Sequence, residues 1–384
     1  MSLRRLTSIR DVDADTWNGL VRAAGHGGYP FIQHEYLRAL EDSGSVGAGT
    51  GWAPEHIILE DDSGLVAAAP AYRKAHSYGE FVFDFAWAQA YRQCGLDYYP
   101  KLVCAIPFAP VEGPRLLARH EAGRAELAAA LNDHIQPGPQ EASSLHLLFA
   151  DHADIRALET AGGLLRRDCQ FQWFNRDYAD FDTFLATLPA RRRKEIRRER
   201  RKLHDAGVVV EHWHPRDIDE DLWDWLYAAY ARNYRIRGQL PYLTPAFFRQ
   251  LAVAMPDQVH YAIARLGNQP LGMAFMMRGG DTLYGRHWGC VEDIDGLHFE
   301  TCYYHGIDTC IRDGLARFDA GAQGEHKIRR GFEPVATYSA HLIREPRLRQ
   351  AIADFLQRER RMMSDYQDEQ RRRCAFPDAG QPVA

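Results

Sequence analysis

Long apolar runs are missing from this chain, and no stretch approaches the roughly 20 apolar residues that a membrane-spanning helix needs. The opening MSLRRLTSIRDVDADTW carries three arginines with no apolar run behind them, which argues against a secretory signal. Cysteine is scarce and unpatterned. Seven stand at positions 94, 104, 169, 290, 302, 310 and 374, an odd number with no CxxC pair. Neither a disulfide framework nor a zinc knuckle is indicated, and a reducing, cytoplasmic setting is expected. An excess of one charge is missing too: 47 Lys and Arg face 52 Asp and Glu, for a net charge of −5. That excludes a partner held by the charge of the whole molecule, so any phosphate binding must be local. There is no strict internal repeat.

What is present is the composition of a globular protein, 46% apolar and 26% charged, with 11% aromatic residues. A chain of 384 residues exceeds what one core serves, so two domains are expected. The first half reads as helices over Thr16–Ala24 and His34–Asp42, then strands His56–Glu60 and Leu65–Arg73 joined by the hairpin signal Asp61-Asp62-Ser63-Gly64. An aromatic helix running into a strand follows, then a helix over Glu121–His134 and a strand over Leu145–Phe149. The second half repeats this grammar. Strand Val208–Trp213 precedes a helix over Asp219–Arg235 with Leu222, Trp225, Leu226 and Ala229 on one face. Thr244-Pro245 opens another helix. Strands Gln258–Arg265, Pro270–Met277 and Thr282–Trp288 lead to a helix over Leu297–Gly314, a strand Arg317–Ala320, a glycine-rich loop and a strand pair across Val335–Ile343. Glu345–Cys374 is a charged helical tail, followed by a disordered-looking FPDAGQPVA.

Four segments hold residues that could carry chemistry. Nine of the twelve residues from Arg191 to Lys202 are basic, on a helix whose apolar stripe is only Ile196 and Leu203. Two readings stand side by side: a solvated surface helix, or a contact to polyphosphate or a tRNA backbone, the latter because the sign bias is too strong for balanced i, i+4 pairs. In YGRHWGC, strand alternation places Arg286 and Trp288 on one face and His287 on the other, either as a strand end or as the rim of a substrate channel. In the next helix His298, Cys302 and His305 share a face, where metal is one reading. Glu300 and Tyr304 form a separate i, i+4 pair, with Glu300 a candidate general base. The richest segment is GAQGEHKIRRGF at Gly321–Phe332. Glycines bracket Gln323, Glu325-His326-Lys327 are consecutive, and Arg329 and Arg330 follow. Amide-forming acyl transfer needs a proton acceptor, donors for an oxyanion and cations for phosphate, and all three types are here.

At these residues the chain resembles the FemAB-like N-acyltransferases of the GNAT superfamily. The resemblance is carried by HSYGEFVFDFAWAQAY, YYPKL, PFAPVEGPRLL, YGRHWG, HFETCYYHGIDTCI and GAQGEHKIRRGFEPV, and covers nearly the whole chain to about Arg344. LPARRRKEIRRERRKLHDAGVVV is similar to the Arg-rich helix opening the second unit of Fem-type peptidyltransferases. The resemblance implies an α/β fold with mixed (α+β) sheets in two tandem GNAT-like domains. Their expected bounds are 1–165 and 166–345, with the Arg-rich helix at 189–204 and the tail at 346–384. It implies transfer of an acyl or aminoacyl group to a primary amine, on a peptide or cell-wall precursor, with acyl-CoA or aminoacyl-tRNA as donor and no tightly bound cofactor.

Four groups become candidate catalytic residues: Glu325, His326, Lys327 and Glu300. Candidate substrate-binding residues are Tyr78, Glu80, Asp84, Trp87, Tyr99 and Lys101 in the first half. In the second half they are Arg286, His287, Trp288, Tyr303, Tyr304, Gln323 and Gly324. Arg193, Lys194, Arg197, Arg198 and Arg330 are the candidate phosphate ligands, and the Arg191–Lys202 helix the candidate tRNA contact. Two departures matter. Where the superfamily carries a glycine-rich pyrophosphate loop, this chain has Gly289-Cys290-Val291-Glu292-Asp293-Ile294-Asp295-Gly296, whose three carboxylates oppose ordinary CoA binding. No long coiled-coil arm is evident either. The alternatives are a non-catalytic, degenerate GNAT module that binds a peptide or cell-wall precursor, and a zinc hydrolase.

Overall fold

The computed structural model describes residues 2–135, 142–322 and 324–374. Two compact units divide the chain. The first comprises Met1–Asp168, Tyr242–Gln250 and Ala336–Ser364; the second comprises Cys169–Pro241, Leu251–Val335 and Asp365–Ala384. Among the described residues, no helix is long and apolar enough to cross a membrane.

In the first unit, β1 (Ser2–Leu6), β3 (His56–Asp61), β4 (Gly64–Ala69) and β7 (Leu117–Ala118) form one sheet, and β2 (Trp52–Pro54), β5 (Tyr72–Lys74), β6 (Lys101–Cys104) and β8 (Ser144–Leu147) belong to another. The β3–β4 hairpin closes at Asp61 and Gly64. Asp61 Oδ1 accepts hydrogen bonds from the Ser63 backbone N–H (2.7 Å) and hydroxyl (2.6 Å). Gly64 supplies the positive φ that the turn requires, at 100°. The expected single strand Leu65–Arg73 is two strands. Pro70 has no N–H for a ladder, so β4 ends before it and β5 resumes in the other sheet, between β2 and β6. Ile57, Leu59, Leu102, Leu145 and Leu147 from these strands pack with Leu127, Leu131 and Leu158 from two helices.

In the second unit the order is β10 (Val208–Trp213), β11 (Val259–Leu266), β12 (Gln269–Gly279), β13 (Thr282–Cys290), β14 (Arg317–Asp319) and the end of β9 (Leu164–Phe174). β10 to β13 form an antiparallel meander. β14 returns parallel to β13 after the helical crossover Leu297–Arg312. The helix Glu220–Arg235 buries Trp223, Leu226, Ala229 and Tyr230, whereas Leu222 and Trp225 are only half-buried. Its inward stripe therefore keeps Leu226 and Ala229 of the expected face, with Trp223 and Tyr230 in place of Leu222 and Trp225. Gly289 is needed on β13 because a Cβ there would lie 2.4 Å from the Ala229 backbone of this helix. The last expected strand pair is instead one long strand, β15 (Glu333–Ile343). No turn residue interrupts it after Pro334.

Candidate active site

A cavity of about 660 Å³ opens in the second unit. Its walls come from the basic helix Ala190–Asp205, the helix starting at Leu297, a 3₁₀ turn Glu325–Arg330 and the last turns of the C-terminal helix Pro346–Arg373. The expected GAQGEHK loop thus becomes helical from Glu325 onward.

Ile196 and Leu203 are the only buried side chains of the basic helix and set its rotation. One turn either side of Ile196 stand Arg192, Glu195 and Glu199, and these four line the cavity at i, i+3, i+4 and i+7. Of the expected phosphate ligands, only Arg330 lies on this wall. Arg193 donates to the Ala186 carbonyl at 3.1 Å, Arg197 pairs with Asp182 at 2.8 Å, and Lys194 and Arg198 are exposed. The helix is also better neutralised than its sequence suggests, because the counter-charges come from elsewhere. Arg200 pairs with Glu300 at 3.0 Å and Lys202 with Asp295 at 2.7 Å.

The helix after Leu297 contains a π turn over Glu300–Tyr304. Such turns add a residue to the winding and recur at functional sites. Here the turn breaks the face expected to unite His298, Cys302 and His305. His298 packs against Trp288, Tyr303 and His326, while His305 lies near Arg312, His212 and Arg200. It also separates Glu300 from Tyr304, which bind different arginines. Tyr304 donates its hydroxyl to Glu199 and accepts from Arg330 Nε at 2.9 Å. Arg330 Nη2 reaches both Glu199 oxygens at 3.1 Å, and Nη1 reaches the His326 carbonyl at 3.1 Å. The guanidinium lies 3.5 Å from the Phe299 ring centroid. Every face of Arg330 is occupied, so its role in this structure is to hold Glu199, Tyr304 and the 3₁₀ turn in register.

His326 lines the cavity, and its Nε2 lies 3.0 Å from the Tyr303 hydroxyl. Burial, and then the Arg330 and Lys327 cations, lower its pKa below the ordinary histidine value. Burial raises the Tyr303 phenol. The pair is therefore a neutral imidazole beside a neutral phenol at physiological pH. Gly324 makes this geometry feasible: its φ is 109°, and a Cβ would fall 2.2 Å from His326 Cε1. Gly324→Ala should cost about 1–3 kcal/mol in unfolding free energy through the positive φ. It should also displace the imidazole, visible as a shifted His326 resonance in NMR spectra.

Lys327 does not line the cavity. It is 1% exposed, and its Nζ donates to the carbonyls of Ala320 (3.0 Å) and Gly321. Burial lowers it to about 8, against the opposing pull of Asp319. Asp319 in turn accepts the Gly321 N–H at 3.0 Å and pairs with Arg286 at 2.7 Å. The residues expected to act on substrate here clamp the glycine segment from two sides. Arg286 reaches Asp319 because it is the extra residue of a β-bulge, opposite the step between Phe275 and Met276. The bulge breaks the alternation expected along YGRHWG. His287 is half-buried and packs against Tyr230 and Phe275, an environment that pushes it down to about 3 by desolvation, and Trp288 packs on His298. Glu325 is on the cavity wall, accepting from Tyr366 at 2.9 Å. Gln323 falls outside the described residues.

The first-half candidates form a network of their own within the first unit. Lys101 Nζ donates to Ser77 Oγ at 2.9 Å, to Glu80 at 2.7 Å and to Asp84. Tyr98 donates to Asp84 at 2.5 Å, and Tyr99 meets Ser77 at 2.8 Å. Trp87 packs on His146 and His341, whose Nδ1 atoms are 2.7 Å apart. Tyr78 differs: it is 58% exposed, and only its carbonyl joins the network, accepting from Lys74 at 3.2 Å. Sequence reasoning missed Lys74, Tyr98, His146 and His341, and in the second unit Arg192, Glu199 and Gln370. Helical spacing from Ile196 would have found Arg192 and Glu199; nothing local marks the others.

The sheets and crossovers of the two units define an α/β protein with mixed sheets, as the sequence implies. The family model FemAB-like, described as peptidoglycan biosynthesis/recognition, matches residues 8–378, and the chain belongs to that family. The chain is similar in fold to the crystal structure of FemX, with a TM-score of 0.53 at 11% identity over 91% of this chain and 100% of that one. It is also similar to L-PGS from Bacillus licheniformis, with a TM-score of 0.51 at 10% identity over 90% of this chain and 96% of that one. A third similar structure is the C-terminal domain of a putative lysylphosphatidylglycerol synthetase from Agrobacterium fabrum, with a TM-score of 0.51 at 9% identity over 90% and 96%. No curated protein matches the chain.

Proposed function

We propose that the cavity of the second unit transfers an aminoacyl group to a primary amine of a peptide belonging to a cell-wall precursor. The observation that carries this reading is the neutral His326 on the cavity wall, held by Tyr303 through Nε2. In the tautomer that donates Nε2–H to the phenol oxygen, Nδ1 keeps its lone pair. It takes the proton lost as the amine attacks the ester carbonyl, and returns it to the ribose oxygen as the acyl C–O bond of the donor breaks. Glu300 is the poorer candidate because it does not line the cavity and Arg200 holds both of its oxygens at 3.1 and 3.2 Å. Family membership supports the precursor as acceptor.

Aminoacyl-tRNA is the donor this reading favours over acyl-CoA. At the 290–296 loop, Lys202 pairs with Asp295 and Arg232 lies 3.7 Å from Asp293, so the nearby cations already have carboxylate partners. On the basic helix, Lys194, Arg198 and Arg201 are exposed and form no ion pair among the described residues. They recur at i, i+4 and i+7, a row of about 10 Å along one face, suited to successive phosphates. The direct test is incubation with charged tRNA and a lysine-containing precursor peptide, reading the amide product by mass spectrometry. Replacing Lys194, Arg198 and Arg201 together by Gln should weaken tRNA binding. It should also lower the slope of log affinity against log salt by roughly two to three. An unchanged slope would remove this face from the donor site.

A further inference from the structure

The cavity wall carries four arginines and three glutamates. Three of the arginines are matched: Arg192 to Glu195 at 3.0 Å, Arg330 to Glu199 at 3.1 Å, and Arg373 to Glu369. Arg329 is exposed on the wall and has no ion pair among the described residues. Glu195 and Glu199 are consumed by those same pairs. Glu325 is met only by the Tyr366 hydroxyl, so it is the wall carboxylate without a cation among the described residues. The cavity therefore offers a ligand one positive and one negative charge, separately placed.

A second, independent observation concerns Gln370. It is 2% exposed, it lines the cavity, and its Oε1 accepts no hydrogen bond. Leaving a buried carbonyl without a donor costs about 1–3 kcal/mol, and native proteins rarely carry such a group without a reason. A ligand N–H would relieve it. Phe299, Ile196 and Ile328 give the same wall its apolar surface.

We propose that Arg329, Glu325 and Gln370 select the acceptor as a short zwitterionic peptide. Arg329 binds its carboxylate, Glu325 gathers its ammonium, and Gln370 accepts an amide N–H. This inference rests on the reading of the cavity as an acceptor site. It narrows the acceptor to a peptide with a free carboxylate, and it assigns Gln370 as a specificity residue. Sites built to hydrogen-bond a substrate N–H reject analogues lacking it far more strongly than apolar pockets reject a missing methylene.

The test uses the full chain and alanyl-lysine as the probe, with two analogues: one N-methylated at the peptide bond, one amidated at the C-terminus. Titration calorimetry of the wild type should show each analogue binding at least tenfold more weakly than the parent. In Gln370→Met the N-methyl penalty should vanish, and in Arg329→Gln the amidation penalty should vanish. Gln370→Met should also melt no lower than the wild type, because it removes an unsatisfied carbonyl; a residue with a merely structural role would lower the melting temperature. Gln370→Glu, which keeps an acceptor oxygen, should restore the N-methyl penalty. The proposal is overturned if alanyl-lysine fails to bind, if the penalties persist in the variants, or if inorganic phosphate displaces the dipeptide at equal concentration. Transfer activity without dipeptide binding would remove this inference and leave the transferase reading. Selective dipeptide binding by a protein that transfers nothing would do the reverse.

Discussion

Replacing His326 by Ala should lower the rate of aminoacyl transfer by about 10²–10⁴-fold with little change in stability, the range a positioned general base contributes. The side chain is exposed on the cavity wall, so its removal opens no core cavity. His326→Gln should fail almost equally, since an amide fills the space without accepting a proton. Tyr303→Phe removes the group that orients the ring and should cost less. The pH profile separates this reading from a structural one. The base acts when neutral, and its pKa is lowered by burial and by Arg330 and Lys327. The rate should therefore rise with pH along a limb lying below the ordinary histidine value, separate from the rise that the acceptor amine's own deprotonation gives at alkaline pH. Arg330→Lys should shift that limb, because it alters the cation next to the ring. A limb that stays in place in His326→Gln, with activity retained, would assign the proton to another group.

The architecture was legible because its signals are local. The caps, the hairpin turn at Asp61–Gly64 and the period-3.6 stripe of Ile196 and Leu203 all act within a few residues. The segment Gly321–Phe332 could be singled out for the same reason, and Glu325, His326 and Arg330 do line one cavity. What could not be read is which way each side chain turns. Lys327 stands next to His326 in sequence, yet a 3₁₀ turn sends it to backbone carbonyls while His326 faces the cavity. Arg286 is redirected by a bulge set by strand pairing, and Glu300 and Tyr304 are parted by a π turn. Glu199 looked like one acid in a basic run. Its meaning comes from Arg330, 131 residues away, and no pattern within the helix records that partner. Gln370 lies in a tail whose sequence suggests only a charged helix.

Lys101→Met should destabilise the first unit by about 3–5 kcal/mol, the usual cost of removing one partner from a buried ion cluster. Lys101 is 0% exposed and touches Glu80 and Asp84, themselves 3% and 2% exposed. Without it, two carboxylates share a dry interior with Lys74 alone, whose Nζ is 3.9 Å from Glu80. The same burial gives this unit a pH signature. Glu80 is raised to about 7 by burial, against the pull of Lys101, so its protonated form is favoured by folding. That contribution is present at acid pH below the unfolded carboxylate value and is lost as pH rises to about 7. Lys74 is lowered to about 7 by burial, against the pull of Glu80, so its neutral form is favoured by folding. Its contribution is present at alkaline pH above the unfolded lysine value and is lost as pH falls to about 7. Together the two groups should produce a shallow minimum in stability near neutrality, read by urea denaturation across pH 5–9. Glu80→Gln should flatten the acid side and leave the alkaline side, and Lys74→Met the reverse. Removing Lys101 takes away the cation that favours the charged carboxylates, so the acid side should steepen in Lys101→Met. If Lys101→Met cost under 1 kcal/mol, the cluster would have to be hydrated, not dry. The segment from Ser77 to Asp84 would then be held by its aromatic packing instead of by the lysine.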